Sequence, residues 1–160
     1  MLLIGLFLGF MFWYKQANRM GTTASRDSQF PDLEGTLLIA KQDSPFKDSV
    51  IAKVLDRYKS VAVSVQVIDV VALKTMDVSG FDAILLVYRW EARNPPEIIA
   101  SFIHQNLELK NKMVVLTTSW NGLEKMENID AITGASIVAD APIFSDKLIK
   151  KIDHLLKLKN

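Results

Sequence analysis

Apolar runs alternate with amphipathic stretches from Gly35 to the end of the chain. This alternation predicts an α/β domain, because short apolar runs suit buried strands and stretches with helical periodicity suit helices that pack on them. Strands separated by helical connections run mainly parallel, and right-handed crossovers then favour a doubly wound sheet of strand order 2-1-3-4-5. The five predicted strands are Thr36–Ala40, Val61–Ile68, Phe81–Tyr88, Lys112–Thr118 and Ala135–Ala139.

Capping residues predict where the helices begin. Ser44 followed by Pro45 predicts a helix start, since a serine hydroxyl accepts hydrogen bonds from the first helical amides and proline fits the first helical position. Phe46, Val50 and Val54 then follow at four-residue spacing, which indicates one buried face. The other predicted helical segments are one turn within Asp69–Gly80, a helix started by the capping-box-like run Asn94–Glu97, a short helix over Leu123–Thr133 that ends at Gly134, and a final helix that opens at Ser145.

The first 14 residues carry no charge and end in an aromatic pair, Trp13-Tyr14, just before Lys15. An apolar run followed by aromatic residues and a cation is typical of a membrane interface. Fourteen helical residues span about 21 Å, whereas the hydrocarbon core of a bilayer is roughly 30 Å thick. The segment is therefore an anchor lengthened by snorkelling of Lys15, part of a longer span, a cleaved signal, or a helix buried in protein.

We expect an uncleaved single-pass membrane anchor, and this expectation divides the chain into three units. The three cations that follow the apolar run (Lys15, Arg19 and Arg26) place the folded domain in the cytoplasm by the positive-inside tendency, with a periplasmic or extracellular location as the alternative. The units are an anchor over residues 1–19, a linker over residues 20–34 that is small and polar, and one folded domain over residues 35–160.

Composition excludes several kinds of chemistry. The chain has no cysteine, which excludes disulfides, thiolate nucleophiles, zinc ribbons and iron–sulfur clusters. Its net charge of +1 gives no electrostatic case for a nucleic-acid partner. The two histidines, His104 and His154, lack the neighbouring groups of a catalytic triad or metal site. We therefore assign no catalytic residue and no metal ligand, and expect an electron carrier or binding module rather than a catalyst.

The middle of the chain carries a more specific pattern. Phe81–Trp90 forms a predicted strand and loop, Pro95-Pro96 begins a helix with an inward Phe102, and Lys110–Gly122 forms a second strand and loop. This order resembles flavodoxin, in which a "YD-I-apolar-G-P-I-W" segment leads to a Pro-started helix and then to a "GK-apolar-TS-G" segment. The resemblance implies a flavodoxin-like fold that holds FMN and transfers electrons, with the flavin performing the chemistry.

In flavodoxins the flavin ring lies between the loops that follow the third and fourth strands. The residues at those positions here are Tyr88 and Trp90 in one loop, and Ser119 and Trp120 in the other. Two indoles at the carboxyl ends of a parallel sheet provide an apolar slot for a planar ring. The alternative is that both tryptophans are rim residues that pack on each other or on a helix.

The loop after the first strand departs from the flavodoxin pattern. Flavodoxins hold the FMN phosphate with a Ser/Thr-x-Thr-Gly-x-Thr run at a helix N-terminus. The corresponding segment here, Lys41–Ser49, has no glycine, and Pro45 removes one amide donor. Asp43 and Asp48 bring negative charge close to a phosphate, which the lysines of the same loop offset in part. Ser44 remains the candidate phosphate ligand, and we expect free FMN to bind this loop weakly or not at all.

A second flavin motif lies in Asp130–Ser136, which reads DAITGAS. It resembles the Asp-x-x-Ser/Thr-Gly-Ala-Thr/Ser motif to which a flavin transferase links FMN through a phosphoester. The match implies that Ser136 is the acceptor hydroxyl and that Asp130 is a recognition residue. The alternative is a helix that stops at Gly134 and a strand that starts at Ala135. Covalent attachment is typical outside the cytoplasm, which conflicts with the orientation expected from charge.

Two functions therefore remain open. One is a membrane-tethered, FMN-dependent electron-transfer module with a redox partner protein, and the other is a flavin-free interaction or scaffold domain at the membrane. Arg89 and Arg93 either bind an anionic ligand or partner or belong to a solvated loop. The last helix is basic, and its lysines either contact anionic lipid or form a solvated face. These lysines are Lys147, Lys150, Lys151, Lys157 and Lys159.

Overall fold

The computed structural model describes residues 34–127 and 129–158, so the predicted anchor and nearly all of the predicted linker lie outside the described residues. Within these two ranges, the helices are too short or too polar to cross a membrane. The elements in chain order are β1 (Gly35–Lys41), α1 (Pro45–Tyr58), β2 (Val63–Asp69), a 3₁₀ turn (Val70–Lys74), β3 (Ala83–Arg89), α2 (Glu97–Gln105), a 3₁₀ turn (Leu107–Lys112), β4 (Met113–Thr118), β5 (Ala131–Gly134), a 3₁₀ turn (Val138–Asp140) and α3 (Ala141–Leu155).

All the strand pairs are parallel, and the sheet order β2-β1-β3-β4-β5 confirms the predicted topology. β1, β3 and β4 are central, and almost every residue in them is buried. Burial on both faces explains why these strands appear in the sequence as continuous apolar runs rather than alternating ones. The single helical turn predicted between the second and third strands is the 3₁₀ turn at Val70–Lys74.

The sheet separates two hydrophobic cores. On one face, α1 and α3 pack together over β1, β3 and β4, and the rings of Phe46 and Phe144 meet edge to face at 5.4 Å. On the other face, α2 and the 3₁₀ turn after β2 cover the opposite side chains of the same strands, with Phe102 at the centre. Two covered faces leave the two ends of the strands as the places where loops can form a site.

The predicted fifth strand and the helix before it are wrong. β5 is Ala131–Gly134, and residues 123–127 and 129–130 are not helical. Ile132 points into the core and is 8% exposed, whereas Ile137 and Val138 of the predicted strand are about half exposed. The apolar run at Ala135–Ala139 therefore resembled a buried strand in the sequence, although the fold leaves its large side chains about half exposed.

Two predicted helix starts are also wrong. α3 begins at Ala141, four residues before Ser145, because Pro142 occupies its first turn; the Ser145 hydroxyl donates a hydrogen bond back to the Ala141 carbonyl at 2.6 Å. α2 begins at Glu97 after Pro96, with no side-chain cap. Asn94 pairs with Glu91 across a tight loop and does not complete the capping box that its sequence suggested.

Candidate functional site

The carboxyl ends of β1, β2 and β3 surround a cavity of about 530 Å³. β1 lies between β2 and β3. The crossover from β1 leads to β2 on one side of β1, and the crossover from β2 leads to β3 on the other side, so the direction of the chain across the sheet reverses here. Open α/β sheets bind ligands at such a topological switch point. The cavity is lined by Gln42, Asp43, Ser44, Lys47, Asp69, Val70, Val71, Arg89, Glu91 and Ser136.

The N-terminus of α1 forms one wall of this cavity. Ser44 is extended, and its hydroxyl accepts a hydrogen bond from the Lys47 amide at 3.2 Å, which confirms the predicted cap. Pro45 then occupies the first helical position. The Asp48 amide donates to the Ser44 carbonyl at 2.8 Å, which leaves the Phe46 amide of the first turn. This amide lies at the positive end of the helix dipole, which favours an anion at this wall.

Lys47 is the residue that most distinguishes this site. It is only 3% exposed, and its ammonium makes no hydrogen bond or ion pair with any residue in the described ranges. Burial lowers the pKa of Lys47, and the positive charge of Arg89 lowers it further. A buried cation next to a second cation is unfavourable unless an anion joins them.

Arg89 brings the second positive charge to the cavity from the end of β3. Its side chain is exposed, and its amide donates to the Gln42 side chain at 2.8 Å. The backbone amide of Gln42 in turn donates a hydrogen bond to the backbone carbonyl of Val87 at 2.9 Å. These bonds tie the loop after β1 to the end of β3, which holds Lys47 and Arg89 on the same cavity.

The two acidic residues expected to repel a phosphate are already engaged. Lys41 contacts the Asp43 carboxylate at 2.5 Å and the Asp48 carboxylate at 2.7 Å. Burial acts to lower the pKa of Lys41, but its contacts with the two carboxylates outweigh burial and raise it. Both carboxylates therefore pair directly with Lys41. They also act to raise the pKa of Lys47, but they do not pair with it, so Lys47 lacks only a direct anionic partner.

The two other carboxylates of the cavity are exposed. Asp69 accepts a hydrogen bond from the Val71 amide at 2.7 Å, where it caps the 3₁₀ turn. Glu91 accepts a long 3.5 Å bond from Gln42. Exposed carboxylates are screened by water and salt, so they offset the positive charges of Lys47 and Arg89 only in part.

We predict that Lys47→Met stabilises the folded protein by about 1–3 kcal/mol, because an apolar side chain of similar length replaces an uncompensated buried charge. Chemical denaturation of the two proteins measures the difference. Lys53→Met is the matched control: Lys53 lies on the same helix, is largely solvated, and pairs with Asp146 at 2.9 Å. Its removal is expected to change stability by about 0–1 kcal/mol in the opposite direction.

The pH dependence of this difference has a definite sign. Above the lowered pKa of Lys47 and below its ordinary value of 10.5, the unfolded chain binds more protons than the folded one. The free energy of unfolding of the wild type therefore rises with pH through that window, while that of Lys47→Met lacks this contribution. The difference in unfolding free energy between the two proteins thus becomes smaller toward pH 10.5. A gap that stays constant or widens over this range would contradict the assignment of Lys47 as a buried, uncompensated cation.

The structure does not bring the two predicted indoles together. Trp90 is partly buried against the core under α2, and its buried indole N–H has no hydrogen-bond partner among the described residues. Trp120 is fully exposed in the loop after β4. A side chain that is exposed on all sides contacts no neighbouring ring, so the slot expected between Trp90 and Trp120 is not formed in this structure.

The two residues predicted beside those indoles have structural environments of their own. Tyr88 is fully buried in the core under α2, and burial raises its pKa to about 12. The Ser119 hydroxyl donates to Asn121 at 2.9 Å, and the Ser119 amide donates to the Gly134 carbonyl at 3.1 Å. Ser119 thus holds the loop after β4 against β5. Direct contact of either residue with a cofactor stays a prediction.

The second flavin motif is divided by β5. Asp130 precedes this strand at its amino end and pairs with Lys151, whereas Ser136 follows the strand at its carboxyl end. Ser136 is exposed and lines the same cavity as Lys47 and Arg89. The acceptor serine of the motif is therefore close to the candidate phosphate site, while its acidic residue is not.

Sequence reasoning weighed Arg89 as an anion ligand but gave Lys47 only a minor part. A signal for Lys47 was present, because it precedes Val50 by three residues, Ile51 by four and Val54 by seven, and so shares their buried helix face. Among the described residues, no cluster of histidine and carboxylate groups could hold a metal ion.

The chain is similar in structure to a flavodoxin from the domain Archaea, with a TM-score of 0.50 at 12% identity over 75% of this chain and 98% of the flavodoxin. It is also similar to the rubredoxin oxygen:oxidoreductase of Desulfovibrio gigas, with a TM-score of 0.50 at 12% identity over 76% of this chain and 35% of that one. This chain thus spans about a third of that protein. A two-component transcriptional regulator AraC from Clostridium phytofermentans matches with a TM-score of 0.46 at 17% identity, over 79% of this chain and 96% of the regulator.

No protein-family model and no curated protein matches the sequence. At 12% identity, the two likenesses with a TM-score of 0.50 establish the fold, which is flavodoxin-like. A shared fold does not transfer a function, so the function has to be argued from the residues of the site.

Proposed function

We propose that this chain is a membrane-tethered, flavodoxin-like domain that binds FMN at the carboxyl edge of its sheet and carries electrons for a partner protein. The observation that supports this most is the buried, unpaired Lys47 ammonium on a cavity at the switch point. The phosphate of FMN would be a direct anionic partner of both Lys47 and Arg89, whereas Asp43 and Asp48 attract Lys47 without pairing with it.

The cavity also suits FMN in size and in position. Its volume of about 530 Å³ lies within the range of small-molecule sites. Val70 and Val71 supply apolar surface beside the charged groups. Ser136 lies on the cavity wall, so a phosphate held by Lys47 is within the same pocket as the hydroxyl that the second motif implies as a covalent acceptor. Of the second motif, Ser136 therefore lies beside the proposed phosphate site, whereas Asp130 does not.

We infer the membrane tether from the apolar run at the N-terminus and from the aromatic pair and cation that follow it. The charges after this run favour a cytoplasmic domain, whereas covalent attachment of FMN through Ser136 favours a domain outside the cytoplasm. Determining the side of the membrane would therefore also indicate how the flavin is held.

Titration of the full-length protein with FMN tests the cofactor assignment. We expect quenching of flavin fluorescence with a dissociation constant of about 10–100 μM, since the loop lacks the glycine and hydroxyl groups of a tight phosphate site. Lys47→Met should weaken FMN binding by about tenfold or more, because it removes a charge-assisted contact to the phosphate. Lys53→Met should leave the affinity unchanged.

Riboflavin, which lacks the phosphate, separates recognition of the anion from recognition of the ring. It should bind the wild type as weakly as FMN binds Lys47→Met, and the same substitution should not weaken it further. Equal affinity of the two flavins for the wild type would contradict the phosphate site. Intact mass of the protein from its native host distinguishes the mode of attachment: an added FMN that Ser136→Ala removes would show that the flavin is covalent.

The second candidate function is a flavin-free interaction or scaffold domain at the membrane. The separation of Trp90 from the fully exposed Trp120 favours it, because no closed slot for a flavin ring is present. A protein that remains colourless near 450 nm with excess flavin, yet retains an anion at Lys47, would establish this alternative.

A further inference from the structure

A second concave surface lies at the opposite, amino end of the sheet, between α3 and the edge formed by β4 and β5. It encloses about 800 Å³. We call it the basic groove, and it is defined by Lys110, Lys147, Lys150, Lys151 and His154 around an apolar floor. Asp130 is the single acidic residue among those that line it.

The charges of the basic groove are poorly compensated. Asp130 is paired with Lys151, and Lys147 lies over the Phe144 ring at 5.7 Å. The side-chain ammonium groups of Lys110 and Lys150 make no ion pair or hydrogen bond with any residue in the described ranges. With His154 neutral, the groove therefore carries a formal excess of three positive charges, from four lysines and one aspartate.

The groove is concave because β5 is short. β5 begins opposite Val115, so the first two residues of β4, Met113 and Val114, have no strand beside them on that side. The side chains of Val114, Ile132 and Leu155 form the apolar floor, whereas the Met113 side chain packs in the core on the other face of the sheet. A charged rim around an apolar floor suits an amphiphile better than it suits a simple ion.

The part of the chain that precedes the domain joins it at this same end. Gly35 begins β1, and a methyl group built on it would lie 2.9 Å from the Leu156 side chain. Leu156 directly follows Leu155 of the groove floor. The predicted linker over residues 20–34 reaches about 50 Å at most when extended, so a tether in a bilayer would keep the groove close to the lipid.

We infer that the basic groove seats the phosphate headgroups of an anionic bilayer, which would orient the domain with its carboxyl-edge cavity facing away from the membrane. This inference rests on the tether of the proposed function for its local concentration of lipid. Charge complementarity selects the occupant, because a surface of anionic lipid attracts clustered lysines and a zwitterionic surface does not.

Amine acetylation of the full-length protein on vesicles tests the groove directly. We expect acetylation of Lys110 and Lys150 to fall about fivefold when phosphatidylserine is added to phosphatidylcholine vesicles, and to recover at high salt. Acetylation of Lys125, which is exposed in the loop between β4 and β5, should not change. Equal labelling of the groove lysines on the two kinds of vesicle would overturn the inference.

A pair of charge-reversed variants provides the matched control. Lys110→Glu/Lys150→Glu should abolish the additional binding to anionic vesicles in a flotation assay. Lys74→Glu/Lys125→Glu makes the same change in net charge on exposed lysines outside the groove, and it should retain most of that binding. Equal losses in the two variants would attribute binding to net charge alone and overturn a role for the groove.

The same assay separates failure of the tether from failure of the groove. Flotation with phosphatidylcholine alone reports the tether. If the protein floats only with anionic vesicles, the tether fails while the groove is supported. Soluble polyglutamate that protects Lys110 and Lys150 where vesicles do not would assign the groove to an acidic protein partner and overturn the lipid inference.

Discussion

Gly134→Ala should destabilise the protein by about 3 kcal/mol, as measured by chemical denaturation. A methyl group at this position would lie 2.2 Å from one carbon of the Phe144 ring and 2.7 Å from a second. The ring is 8% exposed and meets Phe46 edge to face, so it cannot withdraw without disturbing the core between α1 and α3. The glycine of the DAITGAS run is thus required for packing, whether or not the run also carries a flavin.

Gly80→Ala is the matched control, because nothing lies within 4 Å of a methyl group built there. We expect it to change stability by less than about 1 kcal/mol. In a Phe144→Leu background, the Gly134→Ala substitution should lower the free energy of unfolding much less than it does in the wild type, because the obstructing ring is absent. An undiminished cost in that background would show that the strain arises elsewhere.

Asp153→Ala is expected to have an effect of similar size, a loss of about 3–5 kcal/mol. Asp153 is 4% exposed, and its carboxylate accepts a hydrogen bond from the Tyr58 hydroxyl at 2.7 Å and pairs with Arg57 at 3.1 Å. The substitution removes the acceptor of both groups and leaves a small cavity between α1 and α3. Burial and the contact with Asp153 also raise the pKa of Tyr58.

Asp146→Ala provides the comparison within the same pair of helices. Its carboxylate also bridges α3 to α1, through Lys53 at 2.9 Å, but both side chains are largely solvated. Removing this exposed pair should cost about 0–1 kcal/mol. If the two aspartate variants unfolded at the same denaturant concentration, the buried network would have no special role in joining the helices.

The topology could be predicted because its central strands are unambiguous. β1, β3 and β4 are buried on both faces, so each appears in the sequence as a continuous apolar run. Such runs can be recognised as strands without knowing how the loops fold. The edge strand β5 was harder to predict from the sequence, because an edge strand needs only one buried face. Ile132 supplies the one side chain of β5 that is deeply buried, whereas the more apolar run after it remains at the surface.

The sequence placed the candidate site at the carboxyl edge of the sheet, where the cavity lies, but it emphasised other residues than those that line the cavity. Motif resemblance drew attention to Trp90 and Trp120, which the structure separates. Lys47 was difficult to recognise because a lysine in the first turn of a helix is normally solvated. Its burial depends on tertiary packing around the first turn of α1, which helical periodicity alone does not specify.

Under the proposed function, the charge of Lys47 would link the lifetime of this protein to the supply of its anionic ligand. Without that anion, the fold would retain a buried lysine that has no direct anionic partner, and it would open more often. A ligand present at a hundredfold excess over its dissociation constant would add about 2.7 kcal/mol of stability. Molecules that lack their ligand would then be degraded sooner, so the loaded form would accumulate without any dedicated regulator.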